Sequence, residues 1–238
     1  MKKKYKNLKI YYTFKKGQIL QRLEAFKITS GKFILQLDDD IILEKNCLKN
    51  LLKSLKKLGK GNVVGPLFKD LSGKPIHKIK RSHFKFFYNI YHYLVCNSKF
   101  GFNKSGTLTP IFLSYGVDSS FKYKQKIFNT DWLPGGCVLS YRSDFIEKPT
   151  YPFKGKAYCE DIYYSILRRK KKIRHRVITD AIVKTIYTEG NIGSFFQEVK
   201  VRKFLIDKFN VNKKIRFNIW FLMEFTKKLL FQFFKLNK

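Results

Sequence analysis

The chain has 238 residues, 44% hydrophobic and 17% aromatic, enough apolar material for a sizeable core, which excludes a wholly disordered chain. Lys and Arg number 50 against 17 Asp and Glu, so the formal charge is +33, a field that attracts nucleic acid, a membrane surface or phosphorylated substrates. A Lys-, Ile- and Phe-rich composition also arises by genomic bias, so charge alone names no partner.

Residues 9–14 (Lys-Ile-Tyr-Tyr-Thr-Phe) have the pattern of a short strand, followed by a turn at Lys15-Lys16-Gly17. A helix is expected over 18–29, with Ile19, Leu23 and Phe26 on one face and Ser30-Gly31 as its stop. Phe33 to Leu37 is a nearly continuous apolar run, the signature of a strand buried on both faces, and it ends abruptly in Asp38-Asp39-Asp40. The spacing of Leu48, Leu51, Leu52 and Leu55 predicts a helix over 44–58 with these leucines inward. A strand begins at Asn62, and Asp70 to Pro75 has hairpin-turn chemistry. Residues 83–95 are rich in aromatics and 97–109 read as a loop. Strand-like pieces follow near 110–116, 121–128 and 137–141. A helix over 160–170 opens in Glu160-Asp161 and closes in Arg168-Arg169-Lys170, an order that suits the helix dipole. Strands near 173–178 and 181–187 precede two helices, about 193–208 and 214–236. Strand and helix alternate, so an α/β domain with a mixed, mostly parallel sheet flanked by helices is expected over 1–190, and a basic, aromatic helical extension over 191–238.

Four scattered cysteines with no Cys-x-x-Cys pair argue against structural zinc and fit reduced thiols in a cytoplasmic protein. No signal peptide and no apolar run of about 18 residues is evident, so any membrane contact is expected to be peripheral. The four histidines, His77, His83, His92 and His175, have no metal-ligand spacing.

Three motifs carry chemistry. Asp38 and Asp40, alternate residues beyond a strand's carboxyl end, could face one cavity and hold a hard divalent cation; the same acids could instead form a solvated turn capping the next helix. Glu160-Asp161 could supply a general base, or serve only the helix dipole. In Asp131-Trp132-Leu133-Pro134-Gly135-Gly136 the paired glycines allow close backbone approach, and an exposed Trp could stack on a sugar; a tight turn beside a core Trp reads equally well.

Lys16-Gly17 with Gln21-Arg22, then Ser30-Gly31-Lys32 running through the strand into Asp38-Asp39-Asp40, then Asp131 to Gly136, Tyr141-Arg142, and Glu160-Asp161-Ile162-Tyr163-Tyr164-Ser165 with Arg168 occur in one order. This set resembles the family 2 glycosyltransferases, which have the GT-A fold. The resemblance implies an inverting, nucleotide-sugar-dependent transferase acting on a saccharide or lipid-linked acceptor in surface polysaccharide or glycolipid synthesis. It implies that Asp38 and Asp40 hold Mn2+ or Mg2+ and the donor diphosphate, and that Lys16, Arg22 and Asp39 join them at the donor. It implies Asp161 as catalytic base, with Trp132, Gly135, Gly136 and Glu160 at the acceptor. Two departures go with it. On this resemblance the chain is expected to begin near the family's third strand, short of the opening segment that forms much of the nucleobase pocket. Lys184-Thr185 also stand where many members place a His. An inactive or partial domain needing a partner chain is therefore an alternative. A nucleic-acid-binding module is a weaker one, since no recognition motif is present and no specific nucleic acid is expected.

An apolar stripe of Ile215, Ile219, Leu222, Phe225, Leu229, Phe233 and Leu236, flanked by lysines, predicts an amphipathic last helix. It suits an anionic membrane surface or packing on the domain.

Overall fold

A computed structural model describes residues 9–77, 85–95, 105–147, 151–153, 157–186 and 191–236. Six strands and six helices follow in the order α1 (Gln18–Ile28), β1 (Phe33–Leu37), β2 (Ile41–Leu43), α2 (Cys47–Leu58), β3 (Asn62–Asp70), α3 (Lys85–Leu94), β4 (Ile127–Thr130), β5 (Cys137–Tyr141), α4 (Glu160–Lys170), β6 (Arg174–Thr185), α5 (Ile192–Lys208) and α6 (Lys214–Leu236). The strands form one mixed sheet in the order β1-β5-β3-β6-β2, with β4 also paired to β6.

The α/β sheet is the expected one, but its pairing differs from the mostly parallel arrangement. Among the described strands only β3 and β6 run parallel; β1–β5, β3–β5, β2–β6 and β4–β6 are antiparallel. The two strands expected near 173–178 and 181–187 are one strand, β6, with a register break. Pro66 pairs with Ile178, but Leu67 already pairs with Ile182. Proline cannot donate to a ladder, and the break stands at the place where its missing N–H would be felt. The break also divides β6 between two partners on its other edge, β4 along Ile178 to His175 and β2 along Thr185 to Val183.

Period-two alternation splits the sheet's side chains between two cores. Val64, Phe68, Cys137, Leu139, Ile178 and Val183 pack under α2, whose Leu51 and Leu55 are fully buried. Val63, Leu67, Val138 and Val177 pack with Leu133 and Ile173 on the other face. Leu52 is partly buried, whereas Leu48, expected inward, stands exposed. Cys47 and Cys137 are free thiols in the α2 layer, and burial pushes their pKa up to about 11 and about 12. A third cluster joins Ile162 and Tyr163 of α4 to Phe195, Val201, Leu205 and Ile206 of α5 and to Phe217 and Trp220 of α6.

Other expectations change in detail. Residues 9–14 form no strand; their aromatic side chains are exposed and no sheet neighbour among the described residues receives them. Among the described residues β1 is an edge strand, paired with β5 alone and only partly buried. The segments 110–116 and 121–126 are irregular apart from an isolated bridge between Leu108 and Ser114, and strand begins only at Ile127. The turn at 70–75 is present: Gly73 N–H donates to Asp70 O at 2.9 Å, and Asp70 Oδ1 accepts from Ser72 Oγ and Lys74 N–H. Most of the loop expected over 97–109 lies outside the described residues.

Candidate active site

The site forms where β1 leaves the sheet. Leu37 pairs with Cys137, and one residue further Asp38 N–H donates to Gly136 O at 2.9 Å. Gln36 Nε2 donates to Gly135 O. The ladder thus runs one step past the strand and sets the first aspartate beside the paired glycines. A Cβ on Gly136 would stand 3.4 Å from Asp38 Oδ2 and 3.2 Å from Ile41; one on Gly135 would stand 3.2 Å from Glu160 Oε1 and 3.6 Å from Asp161 Cβ. A side chain at either glycine would therefore crowd the acidic end of β1 and the start of α4, and the glycines keep that space open.

Arg22, from the middle of α1, closes the arrangement. Its Nη2 donates to Asp38 Oδ1 at 2.7 Å and its Nη1 to Glu160 Oε1. Burial works against the guanidinium's charge, but Glu160 and Asp38 outweigh it and hold its pKa above the usual value. Glu160 is only 6% exposed, and its Oε2 has no hydrogen-bond partner among the described residues. Burial pushes its pKa up to about 7, with Arg22 pulling it back.

Asp161 follows at the first turn of α4, after Cys159 at φ 52 turns the chain into the helix. Its Oδ1 accepts the Ile162 N–H at 2.8 Å. Burial pushes its carboxyl up to about 6, opposed by that N–H and by the charge of Arg202. Arg202 comes from α5, is itself buried, and pairs with Glu198 at 2.8 Å through Nε. In sequence the Glu198–Arg202 pair looks like ordinary i,i+4 surface pairing, so nothing local marks Arg202 as a neighbour of the site. Gln36 gives no sequence signal either, since it is simply one polar residue in an apolar strand.

Arg22, Asp38, Gly135, Gly136, Glu160 and Asp161 are thus brought together. Asp39 and Asp40 are exposed just beyond, and Lys16 is exposed ahead of α1. Trp132 is not an exposed stacking platform: it is 5% exposed, lies in the third core cluster and donates from Nε1 to Tyr115 O at 2.9 Å. Lys184 is engaged with Glu44 at 3.0 Å. Among the described residues no group of three or more His, Cys, Asp and Glu gathers as a protein-only metal site. The donor chemistry still suits a hard cation completed by substrate oxygens, because Asp38 Oδ2 borders the space that Gly136 keeps free of a side chain.

Removing Arg22 leaves Glu160 buried beside Asp38 without its counter-charge. Arg22→Met is expected to cost about 3 kcal/mol in urea unfolding, and adding Glu160→Gln should restore part of that loss.

Comparisons with known proteins bear on the fold and on the family. A crystal structure of GalNAc-T7 with UDP, GalNAc and Mn2+ superposes with a TM-score of 0.52 at 14% identity, covering 76% of this chain and 32% of that one, a likeness of GT-A-like fold. The chain therefore spans about a third of the length of that protein. No curated protein matches. The family model for glycosyl transferase family 2 matches residues 1–167, which takes in α1, the acidic end of β1, the paired glycines and the start of α4, and the chain belongs to that family.

Proposed function

We propose that this glycosyltransferase domain moves a sugar from a nucleotide-sugar donor to an acceptor hydroxyl with inversion at the anomeric carbon. The observation that carries the reading is Arg22 bridging Asp38 and Glu160, which draws the acidic end of β1 and the opening of α4 into one cleft edge.

The roles follow from what each group has left to offer. Glu160 gives one oxygen to Arg22 and is 6% exposed, so its burial and its ion pair assign it to orienting the cleft, although its other oxygen has no partner among the described residues. Asp161 keeps one oxygen free of any described hydrogen bond and has a raised pKa, which makes it a stronger proton acceptor than an ordinary aspartate. It takes the proton of the acceptor hydroxyl as that oxygen attacks the sugar. Asp38 and Asp40 would hold Mn2+ or Mg2+, which when bound offsets charge on the departing diphosphate. The paired glycines leave room for substrate against the backbone, and holding both substrates in line supplies much of the rate.

A second observation favours attachment to an anionic membrane, where a lipid-linked acceptor would be found. α6 buries Phe217 and Trp220 against the domain, which turns most of the apolar stripe read from the sequence outward. Ile215 is 77% and Leu222 63% exposed, with Ile219 and Leu229 also exposed. Phe225 is partly buried against the core, and the side chains of Phe233 and Leu236 lie outside those described. Arg216 ties the helix to α3, donating to Tyr93 O at 3.1 Å and to Leu94 O. Exposed leucine and isoleucine beside lysines match an interfacial helix. Among the described residues no helix is long and apolar enough to cross a membrane.

Calorimetry with UDP and GDP tests the donor site: binding is expected only with Mn2+ or Mg2+, and Asp40→Ala should abolish it. The pH profile of transfer tests the base. Asp161 must be ionised to accept a proton, so kcat/KM should rise as pH passes about 6 and level off above, and Asp161→Asn should lower transfer by about 100-fold or more. Vesicle sedimentation tests the stripe. Retention on phosphatidylglycerol-containing vesicles should fall about tenfold or more in Ile215→Asp/Leu222→Asp, because each buried apolar side chain contributes about 1.5–3 kcal/mol.

A further inference from the structure

The carboxylate cleft does not balance its own charge. Asp38 and Glu160 carry two negative charges, and among the described residues Arg22 is the one cation within ion-pair distance of either. Its fork is divided between them: Nη2 meets Asp38 Oδ1 at 2.7 Å, and Nη1 meets Glu160 Oε1. The three groups therefore leave one negative charge over, and Asp39, Asp40 and Asp161, which adjoin them in the chain, add to it.

The missing positive charge shows at two atoms. Glu160 is 6% exposed, yet its Oε2 has no hydrogen-bond partner among the described residues, a state that buried carboxylate oxygens normally avoid. Asp38 Oδ2, the oxygen that Arg22 leaves, borders the space that Gly136 keeps free of a side chain. Glu160 Oε1 stands as close to the equivalent space at Gly135. The two carboxylates thus line neighbouring parts of one opening.

An ion held by Asp38 must share that carboxylate with Arg22, and the share that Arg22 takes depends on Glu160. While Glu160 is ionised it occupies one arm of the fork, and its charge offsets that of the guanidinium. Asp38 then keeps a negative charge to offer. If Glu160 is made neutral, the guanidinium acts on Asp38 alone, the three groups sum to zero, and a divalent ion meets an uncancelled cation instead of an anion. Removing Arg22 as well returns the surplus negative charge.

We infer that Glu160 is a positioning residue for the divalent cation: by holding one arm of Arg22 it keeps the guanidinium from neutralising Asp38, and so sets the cation affinity of the cleft from outside the set of ligands. This rests on the reading that Asp38 holds the ion.

Titration of the full chain with Mn2+ alone, with free Mn2+ followed by electron paramagnetic resonance at about pH 8, tests both levels separately. Wild type is expected to bind, and Asp38→Asn to lose the ion. Glu160→Gln, nearly equal in shape, should weaken binding by about tenfold or more, the order expected for a unit charge removed near a partly screened ion. Arg22→Met/Glu160→Gln should bring the affinity back to within about threefold of wild type, a recovery that structural damage does not produce. Asp207→Asn removes the same charge at the far end of α5, where Asp207 pairs with Lys214 at 3.0 Å, and should change binding by less than about twofold. Binding that needs Asp38 but is unaltered by Glu160→Gln overturns the inference alone. So does a double variant no better than Glu160→Gln, or equal weakening by Asp207→Asn. A wild type that does not bind Mn2+, or binds it as well with Asp38→Asn, overturns the underlying reading and the inference with it.

Discussion

One guanidinium decides how the catalytic end of this domain is put together. Two carboxylates from segments far apart in the chain, Asp38 and Glu160, would repel each other at a poorly solvated cleft edge, and each would tend to hold its proton. Arg22 removes that conflict by donating to both. It also fixes the angle between α1, the end of β1 and the start of α4, because a planar fork satisfies two acceptors in few geometries. The close approach of the glycines before β5 is useful only because this clamp is in place.

The parallel β3–β6 pair is the scaffold on which the clamp rests. It is the longest pairing in the sheet and places both cores around it, so the antiparallel strands on either side can be short. Its register break after Pro66 lets β6 change partners from β4 to β2 along a single edge. The acidic turn after β1 therefore sits between two short strands, held at its base by the ladder and open at Asp39 and Asp40.

Much of this was legible in the residues. The leucine spacing of α2 and the acid-first, base-last order of α4 locate both helices closely, because periodicity and the helix dipole are local. Arg22, the acidic triplet, the paired glycines and Glu160-Asp161 were legible as motifs, and their order pointed to the family. What was not legible depends on distant neighbours. The aromatic segment 9–14 has strand propensity but no strand beside it among the described residues, and a strand forms only with a partner. The bulge at Thr179 to Ala181 looks like a turn between two strands. Trp132 is equally suited to a core or to a sugar platform, and only the packing around it decides. Arg202 acts on the site from a helix far along the chain from Asp161, so its role has no local signature.

The two thiols beneath α2 carry a consequence for how this domain can be watched. Cys47 and Cys137 lie on opposite sides of the same buried layer, one at the start of α2 and one at the start of β5. With no solvent access and with pKa values pushed well above neutrality, neither offers thiolate to a reagent while the layer is closed. Alkylation must then wait for the helix to lift from the sheet. The rate of thiol capture becomes a clock for the opening of the layer next to the acidic turn, and slowing of that clock by a bound nucleotide would report the coupling between donor occupancy and the breathing of the core.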